Sequence, residues 1–315
     1  MQWFAQAPAN IALIKYMGKK DDGTNTPDNP SLSYTLNNLL SSVVLESHSG
    51  KKDFWEPLQI PGVTPITLSG AAQNRFLQHL QRVKQYFEFS GGFIVRSANN
   101  FPHGSGLASS ASSFAALTLC AVRAISDIEK ISPPAPLQMA NLSRQGSGSS
   151  CRSFFSPWAL WTENTVEAVS FPDTNLLHQV VVISHDEKKV SSSEAHRRVK
   201  SSTNYATRPH RAIENLKALT QALQAQDWQS AYQVSWREFQ DMHQLFNTCD
   251  QPFTYMTKNT HEVLDILQKL WDKNGDGPLV TMDAGPNIHL LYRSDQHAIA
   301  QKFKQDYLIG NYDVL

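Results

Sequence analysis

"FPHGSGLASSAS", residues 101–112, is the stretch on which the fold turns. It follows "GGFIVRSANNF" (91–101), whose alternating apolar residues read as a strand entering a turn of Gly and Ser. It runs into "LASSASSFAALTLCAVRAISDI" (107–128), a nearly apolar stretch of helical length that must be buried. A strand, a turn of small residues and a buried helix make a ready anion site. Backbone N–H groups can approach a phosphate closely there, and the helix N-terminus adds partial positive charge. Ser109 or Ser110 could place a hydroxyl on a phosphate or on Mg²⁺. No Gly-Lys-Ser/Thr follows, so this is not a Walker A loop, and the spacing is not that of a dinucleotide fingerprint.

Upstream, "QAPANIALIKYM" (6–17), "PSLSYTL" (30–36) and "SSVVLES" (41–47) read as three strands. "SGAAQNRFLQHLQRVKQYF" (69–87) has apolar residues at helical spacing, with Ser69 placed to cap. Downstream, "QVVVISHDEKKV" (179–190) reads as a strand and a polar turn, and marks the expected join between an N-terminal lobe, 1–186, and a C-terminal lobe, 187–315. Residues 208–246 supply two or three helices, and "GPLVTMDAGPNIHLLY" (277–292) two strands broken by a Gly-Pro turn. Strands and helices mix without a steady βαβ rhythm, which points to α+β rather than a doubly wound sheet.

The 315 residues carry 28 basic and 28 acidic side chains, so no global field draws the protein to nucleic acid or membrane. Any bound anion must be held locally. Cys120, Cys151 and Cys249 form no CxxC pair, and the histidines show no metal-binding spacing. The N-terminus lacks a signal-peptide pattern, and no apolar run approaches the ~20 residues that span a bilayer. A cytoplasmic protein is expected.

A second motif, "LSRQGSGSSCRSFF" (142–155), alternates Gly and Ser as a linker does, yet embeds Arg152 and ends in aromatics. Ser147 and Ser149 offer hydroxyls on a backbone freed by Gly146 and Gly148, and Arg152 offers a planar fork for a carboxylate or phosphate. Cys151, with no identifiable His or Lys beside it, reads as a packed side chain rather than a nucleophile. Asp283, in "TMDAGPN", sits where a strand enters a turn, a place for a turn former or for a rigidly held catalytic group.

"NNFPHGSGLASSAS" resembles the phosphate loop of the GHMP small-molecule kinases. With "APANIALIKYMGKKDD…NPSLSYTL", "QGSGSSCRS" and "MDAGPN" in the same order, the chain resembles the diphosphomevalonate decarboxylases over residues 7 to about 290. The resemblance implies a two-lobed α+β GHMP kinase-like fold, its N-terminal lobe like a ribosomal-protein domain and its C-terminal lobe ferredoxin-like, with the site in the cleft. It implies a homodimer that uses ATP and Mg²⁺ to decarboxylate mevalonate 5-diphosphate, a phosphorylated small molecule, to isopentenyl diphosphate. ATP and Mg²⁺ would lie on Ser105, Gly106, Leu107, Ala108, Ser109 and Ser110, with Ser110 the candidate metal contact. The substrate would lie among Tyr16, Met17, Gly18, Lys19, Arg75, Ser147, Gly148, Ser149, Ser150, Cys151, Arg152, Ser192 and Ser193.

Three roles are implied to be catalytic. Asp283 would orient or deprotonate the tertiary 3-hydroxyl and stabilise positive charge at C3. Arg152 would hold the leaving carboxylate. Lys19, selected over Lys15 and Lys20 by the match to the family's Tyr-Trp-Gly-Lys, would neutralise phosphate oxygens. Two departures stand out: Met17 replaces a Trp, and Ala195-His196 replaces a Gly-Met in the loop "KKVSSSEAH". The second leaves open a decarboxylase acting on the monophosphate. A mevalonate 3-kinase would keep the same phosphate loop, and a non-catalytic nucleotide- or isoprenoid-binding module could keep the same fold.

Overall fold

The computed structural model of the chain describes every residue except 62–64, 102–108, 174 and 187. β1 (Gln2–Ile14) is followed by a small ribbon of β2 (Lys19–Asp21) and β3 (Thr26–Pro27), and the chain returns as the long β4 (Ser31–His48). The strands expected over 30–36 and 41–47 are therefore one. β1 and β4 pair antiparallel, but the register slips where Pro8 faces Leu40 and Ala9 faces Leu36. The unmatched residues of β4 form a bulge, which bends the pair without ending it.

β5 (Phe54–Pro57), α1 (Gly70–Tyr86), β6 (Gly92–Asn99), α2 (Ser109–Glu129), α3 (Pro136–Arg144), β7 (Trp158–Trp161) and β8 (Val166–Val169) complete the first half. Its sheet runs β5-β6-β4-β7-β8, with β1 also on β4. Ser69 Oγ accepts the Ala72 N–H at 3.3 Å and caps α1. Contrary to the expectation that no apolar run is long enough to span a bilayer, α2 is so by length and composition, yet it lies buried against β1 and β4 as a core helix. Its Phe114 and Leu117 pack with Phe76 and Leu80 of α1 and with Val43 and Val95 of the sheet.

The second half comprises β9 (Leu177–Val182), α4 (Ser192–Arg198), α5 (Arg208–Gln224), α6 (Trp228–Asn247), α7 (Lys258–Asn274), β10 (Leu279–Met282), β11 (Ile288–Tyr292), α8 (His297–Phe303) and β12 (Asp313–Val314). Its antiparallel sheet runs β10-β11-β9-β12. The join expected after residue 186 falls just past β9, whose partner strands both belong to the C-terminal segment. One apolar cluster contains Ile11, Leu13 and Leu32 from the first sheet and Val180, Phe239 and Leu290 from the second half, so the two sheets share a core. That shared core brings the end of β1, the start of β4 and the β10–β11 turn to one cleft.

Candidate active site

The sequence pattern carries the first strand to residue 17, but β1 ends at Ile14 because the Lys15 peptide is captured by other elements. Its N–H donates to Glu238 Oε1 at 2.9 Å, and its carbonyl accepts from Asn29 Nδ2 at 2.8 Å and Arg208 Nη2 at 3.2 Å. Asn29, Arg208 and Glu238 are all buried. Freed from the sheet, the Lys15 side chain places Nζ 2.8 Å from Asp283 Oδ1, in the turn between β10 and β11. His243 Nε2–H donates to the Asp283 carbonyl at 3.1 Å and steadies that turn. Burial pushes the Asp283 carboxyl up, but the charges of Lys15, His289 and Arg152 outweigh it and hold the pKa below the ordinary 3.8. Asp283 is ionised at neutral pH.

Arg152 lies on a short 3₁₀ turn, Gly148–Phe154, under the sheet. Its Nε donates to Asn10 Oδ1 at 3.1 Å and its Nη1 to Ser31 Oγ at 3.0 Å, so β1 and β4 both aim the guanidinium. Asn10 Nδ2 in turn donates to Ser149 O at 3.2 Å and Ser153 Oγ at 2.9 Å, which ties the Gly/Ser loop to β1. On the other side Arg75 Nη2 donates to Gly146 O at 2.9 Å, and Ser147 Oγ lies 3.4 Å from Ser110 Oγ at the start of α2. A Cβ on Gly148 would fall 2.6 Å from the Tyr16 ring, so the loop and Tyr16 pack closer than any side chain allows. This is not a linker.

Of these groups, Asn10, Lys15, Tyr16, Arg75, Ser110, Ser147, Gly148, Ser149, Arg152 and Asp283 line a cavity of about 590 Å³ together with Lys19, Ser109, Lys188, Ser191, Ser192, Ser193 and His196. Among the described residues, its charged lining is Lys15, Lys19, Arg75, Arg152 and Lys188 against one carboxylate, Asp283. A side basin of about 300 Å³ shares Lys19, Asn25, Arg75 and Ser193 with it, and adds Arg82, Arg197 and Asp22. In a protein with no net charge, this local cluster of cations suits a polyanion.

Residues 7–172 match the family model for the diphosphomevalonate decarboxylase-like N-terminal domain, and residues 179–311 that for the mevalonate 5-diphosphate decarboxylase C-terminal domain. The chain belongs to the diphosphomevalonate decarboxylase family. It is 29% identical to diphosphomevalonate decarboxylase mvd1 of Aspergillus fumigatus, over 95% of this chain and 78% of that one. It is similar to a solved mevalonate diphosphate decarboxylase from Legionella pneumophila, with 61% identity, a TM-score of 0.95 and full coverage of both chains. It is also similar to MDDEF solved in complex with MVAPP, AMPPCP and magnesium, with 25% identity and a TM-score of 0.86, covering 100% of this chain and 96% of that one. The α+β, two-domain GHMP kinase-like fold follows from both likenesses.

Within this family fold, the expected residues sort by where their side chains face. Tyr16, Met17, Lys19, Arg75, Ser109, Ser110, Ser147, Gly148, Ser149, Arg152, Ser192, Ser193 and Asp283 all line the cavity. Gly18, Ser150 and Cys151 do not. Ser150 Oγ is engaged by Ser143 Oγ and Ser147 O, each at 2.7 Å. Cys151 Sγ–H donates to Gly148 O at 3.2 Å, in an apolar cluster where burial pushes its pKa up to about 12. The 3₁₀ turn explains this: with three residues per turn, Ser149 and Arg152 share the face toward the cavity, while Ser150 and Cys151 between them turn into the core. Ser105, Gly106, Leu107 and Ala108 lie outside the described residues.

The lysines divide between two places in the cavity. Lys15, not Lys19, meets Asp283; Lys19 Nζ stands 3.8 Å from Asp22 Oδ1, where the cavity joins the side basin. Sequence reasoning misses Lys15, Lys188 and Asn10 as site residues, and marks His196 only as a departure from the family pattern. Lys188 Nζ donates to Ser192 Oγ at 3.3 Å, and burial lowers its pKa while Asp283 opposes the shift. Its only signal in the sequence is a place in a polar turn. Met17 is 2% exposed among Ala195, Met242 and Ala284, filling apolar space where the family's Trp is expected.

The donor set fits ATP and Mg²⁺. Serine hydroxyls at the head of α2 and in the Gly/Ser loop converge with five cations, and small residues let the backbone approach. Among the described residues no three His, Cys, Asp or Glu side chains could hold a metal by themselves, so Mg²⁺ here would take its other ligands from phosphate oxygens.

Proposed function

We propose that this chain catalyses the ATP-dependent decarboxylation of mevalonate 5-diphosphate to isopentenyl diphosphate, with release of ADP, phosphate and CO₂. The observation that carries the reading is the Lys15–Asp283 pair beside the Arg152 fork, in a cavity whose remaining charges among the described residues are cationic. The side basin, with Arg82 and Arg197, supports a diphosphate over a monophosphate, because it continues the cationic lining past Lys19.

Ser109, Ser110 and the N-terminus of α2 hold the nucleotide phosphates with Mg²⁺. ATP, when bound, supplies the phosphoryl group that turns the 3-hydroxyl into a leaving group. Asp283 accepts the hydroxyl proton, and the Lys15 ammonium holds the carboxylate ionised and in place. Arg152 grips the substrate carboxylate, fixed by Asn10 and Ser31. Asp283 passes that proton to the phosphate that leaves, so it is a carboxylate again as the C3–O bond breaks; positive charge then grows beside it and is stabilised until the carboxylate electrons close the double bond and CO₂ departs. A cytoplasmic homodimer is the working form this reading carries over from the family resemblance. The test is release of CO₂ and ADP from purified protein with ATP, Mg²⁺ and each of mevalonate, its 5-phosphate and its 5-diphosphate. The 5-diphosphate is expected to be the substrate turned over; ADP without CO₂ would make the enzyme a kinase.

A further inference from the structure

His196 stands where the family resemblance leads one to expect methionine, and its surroundings give the exchange a chemical meaning. The imidazole is 7% exposed and lines the cavity from α4. The Gly18 N–H donates to His196 Nδ1 at 3.0 Å, so Nδ1 presents its lone pair and the proton of the neutral ring sits on Nε2. Position 18 admits only glycine, which lets the backbone come this close. Its φ is +98°, and a Cβ there would fall 2.0 Å from the Tyr205 hydroxyl oxygen, which is itself bonded to Asp28. The ring rests on Tyr16 with centroids 4.4 Å apart, which limits its rotation. Burial, with Lys19, Lys200 and Arg152 nearby, lowers its pKa to about 3, so the ring stays neutral. Nε2–H has no partner among the described residues and opens into the cavity that the ring lines.

A polar N–H left without a protein partner in a cationic cavity is a donor waiting for an anion. Its position selects which anion. His196 shares α4 with Ser193, and Ser193 and Lys19 line both the main cavity and the side basin, away from the phosphate-loop helix. We propose that His196 donates its Nε2–H to the 5-phosphoryl group of the substrate and so contributes to substrate affinity where an apolar methionine would not. The inference rests on reading this cavity as the phosphorylated-mevalonate site.

Steady-state kinetics on the full chain test it. Turnover by the unaltered protein checks the reading of the cavity first; failure to turn over any mevalonate phosphate overturns that reading and the inference with it. Given turnover, His196→Met should raise KM for the 5-phosphorylated substrate about tenfold or more, the worth of one hydrogen bond to a charged group, with kcat and the ATP KM little changed. His196→Gln, whose amide N–H can take the place of Nε2–H, should restore most of the loss. An unchanged substrate KM in His196→Met, or equal losses for substrate and ATP in both variants, would overturn the proposal. Should His196→Met fail to fold, the ¹⁵N spectrum of the unaltered protein decides: a neutral Nε2–H tautomer whose proton shifts on substrate binding supports it, and an Nδ1–H or imidazolium form sinks it.

Discussion

At the scale of single residues, the proposed chemistry depends on a half-buried carboxylate, Asp283, held ionised by the buried Lys15. Asp283→Asn keeps the shape and a hydrogen-bond acceptor but removes the charge that activates the hydroxyl and favours positive charge at C3. Both ATP consumption and CO₂ release should fall at least about a hundredfold, with little change in substrate affinity. Single-turnover assays beside a thermal melt would show this, and a folded variant at near-normal rate would reduce Asp283 to a turn residue. Lys15→Met tests the partner. Without the ammonium, burial acts on Asp283 with less opposition, so its pKa rises and the acid limb of the kcat–pH profile moves toward neutrality by about one unit or more. The sign follows from the depressed carboxyl: the pair's contribution to stability is present above the unfolded pKa and lost as pH falls through the lower folded value. Arg152→Lys keeps the charge but cannot fill Asn10 Oδ1, Ser31 Oγ and a substrate carboxylate together. Turnover should drop well over tenfold, about 2 kcal/mol.

At the scale of elements, the proposed reading divides the anions between the start of α2 and the Gly/Ser loop, although Ser110 and Ser147 stand within contact of each other. Ser110→Ala should weaken use of Mg²⁺–ATP about tenfold while leaving binding of the diphosphate substrate nearly intact. Separate calorimetric titrations with each ligand check it, and equal losses would merge the two subsites. These elements are legible in the sequence because each carries a local signal. Ser69 capping α1, the apolar run of α2 and the strand over 92–99 depend on neighbours close in the chain. The 3₁₀ turn over 148–154 is not legible, since Gly and Ser are compatible with any loop; buried contacts to Asn10 and Ser31 shape it.

At the scale of the whole molecule, the Arg208–Glu238 ion pair, fully buried where α5, α6 and the end of β1 meet, joins the two halves at Lys15. Arg208→Met would leave Glu238 charged and unpaired there. The expected loss is about 3–5 kcal/mol in urea-unfolding stability. The long-range contacts that complete the site could not be read from spacing: Lys15 meets Asp283 and Glu238 only because a shared core packs the two sheets together. By itself the sequence determined the family, the α+β class, the anion-binding loops and the roles of Arg152 and Asp283 as candidates, because motif identity and local periodicity reside in residues near one another. Only the tertiary structure decided which lysine faces the carboxylate, that Ser150 and Cys151 turn into the core, and that His196 presents Nε2–H to the cavity. Direction, burial and tautomer are set by neighbours far along the chain, and no stretch of sequence carries those neighbours with it.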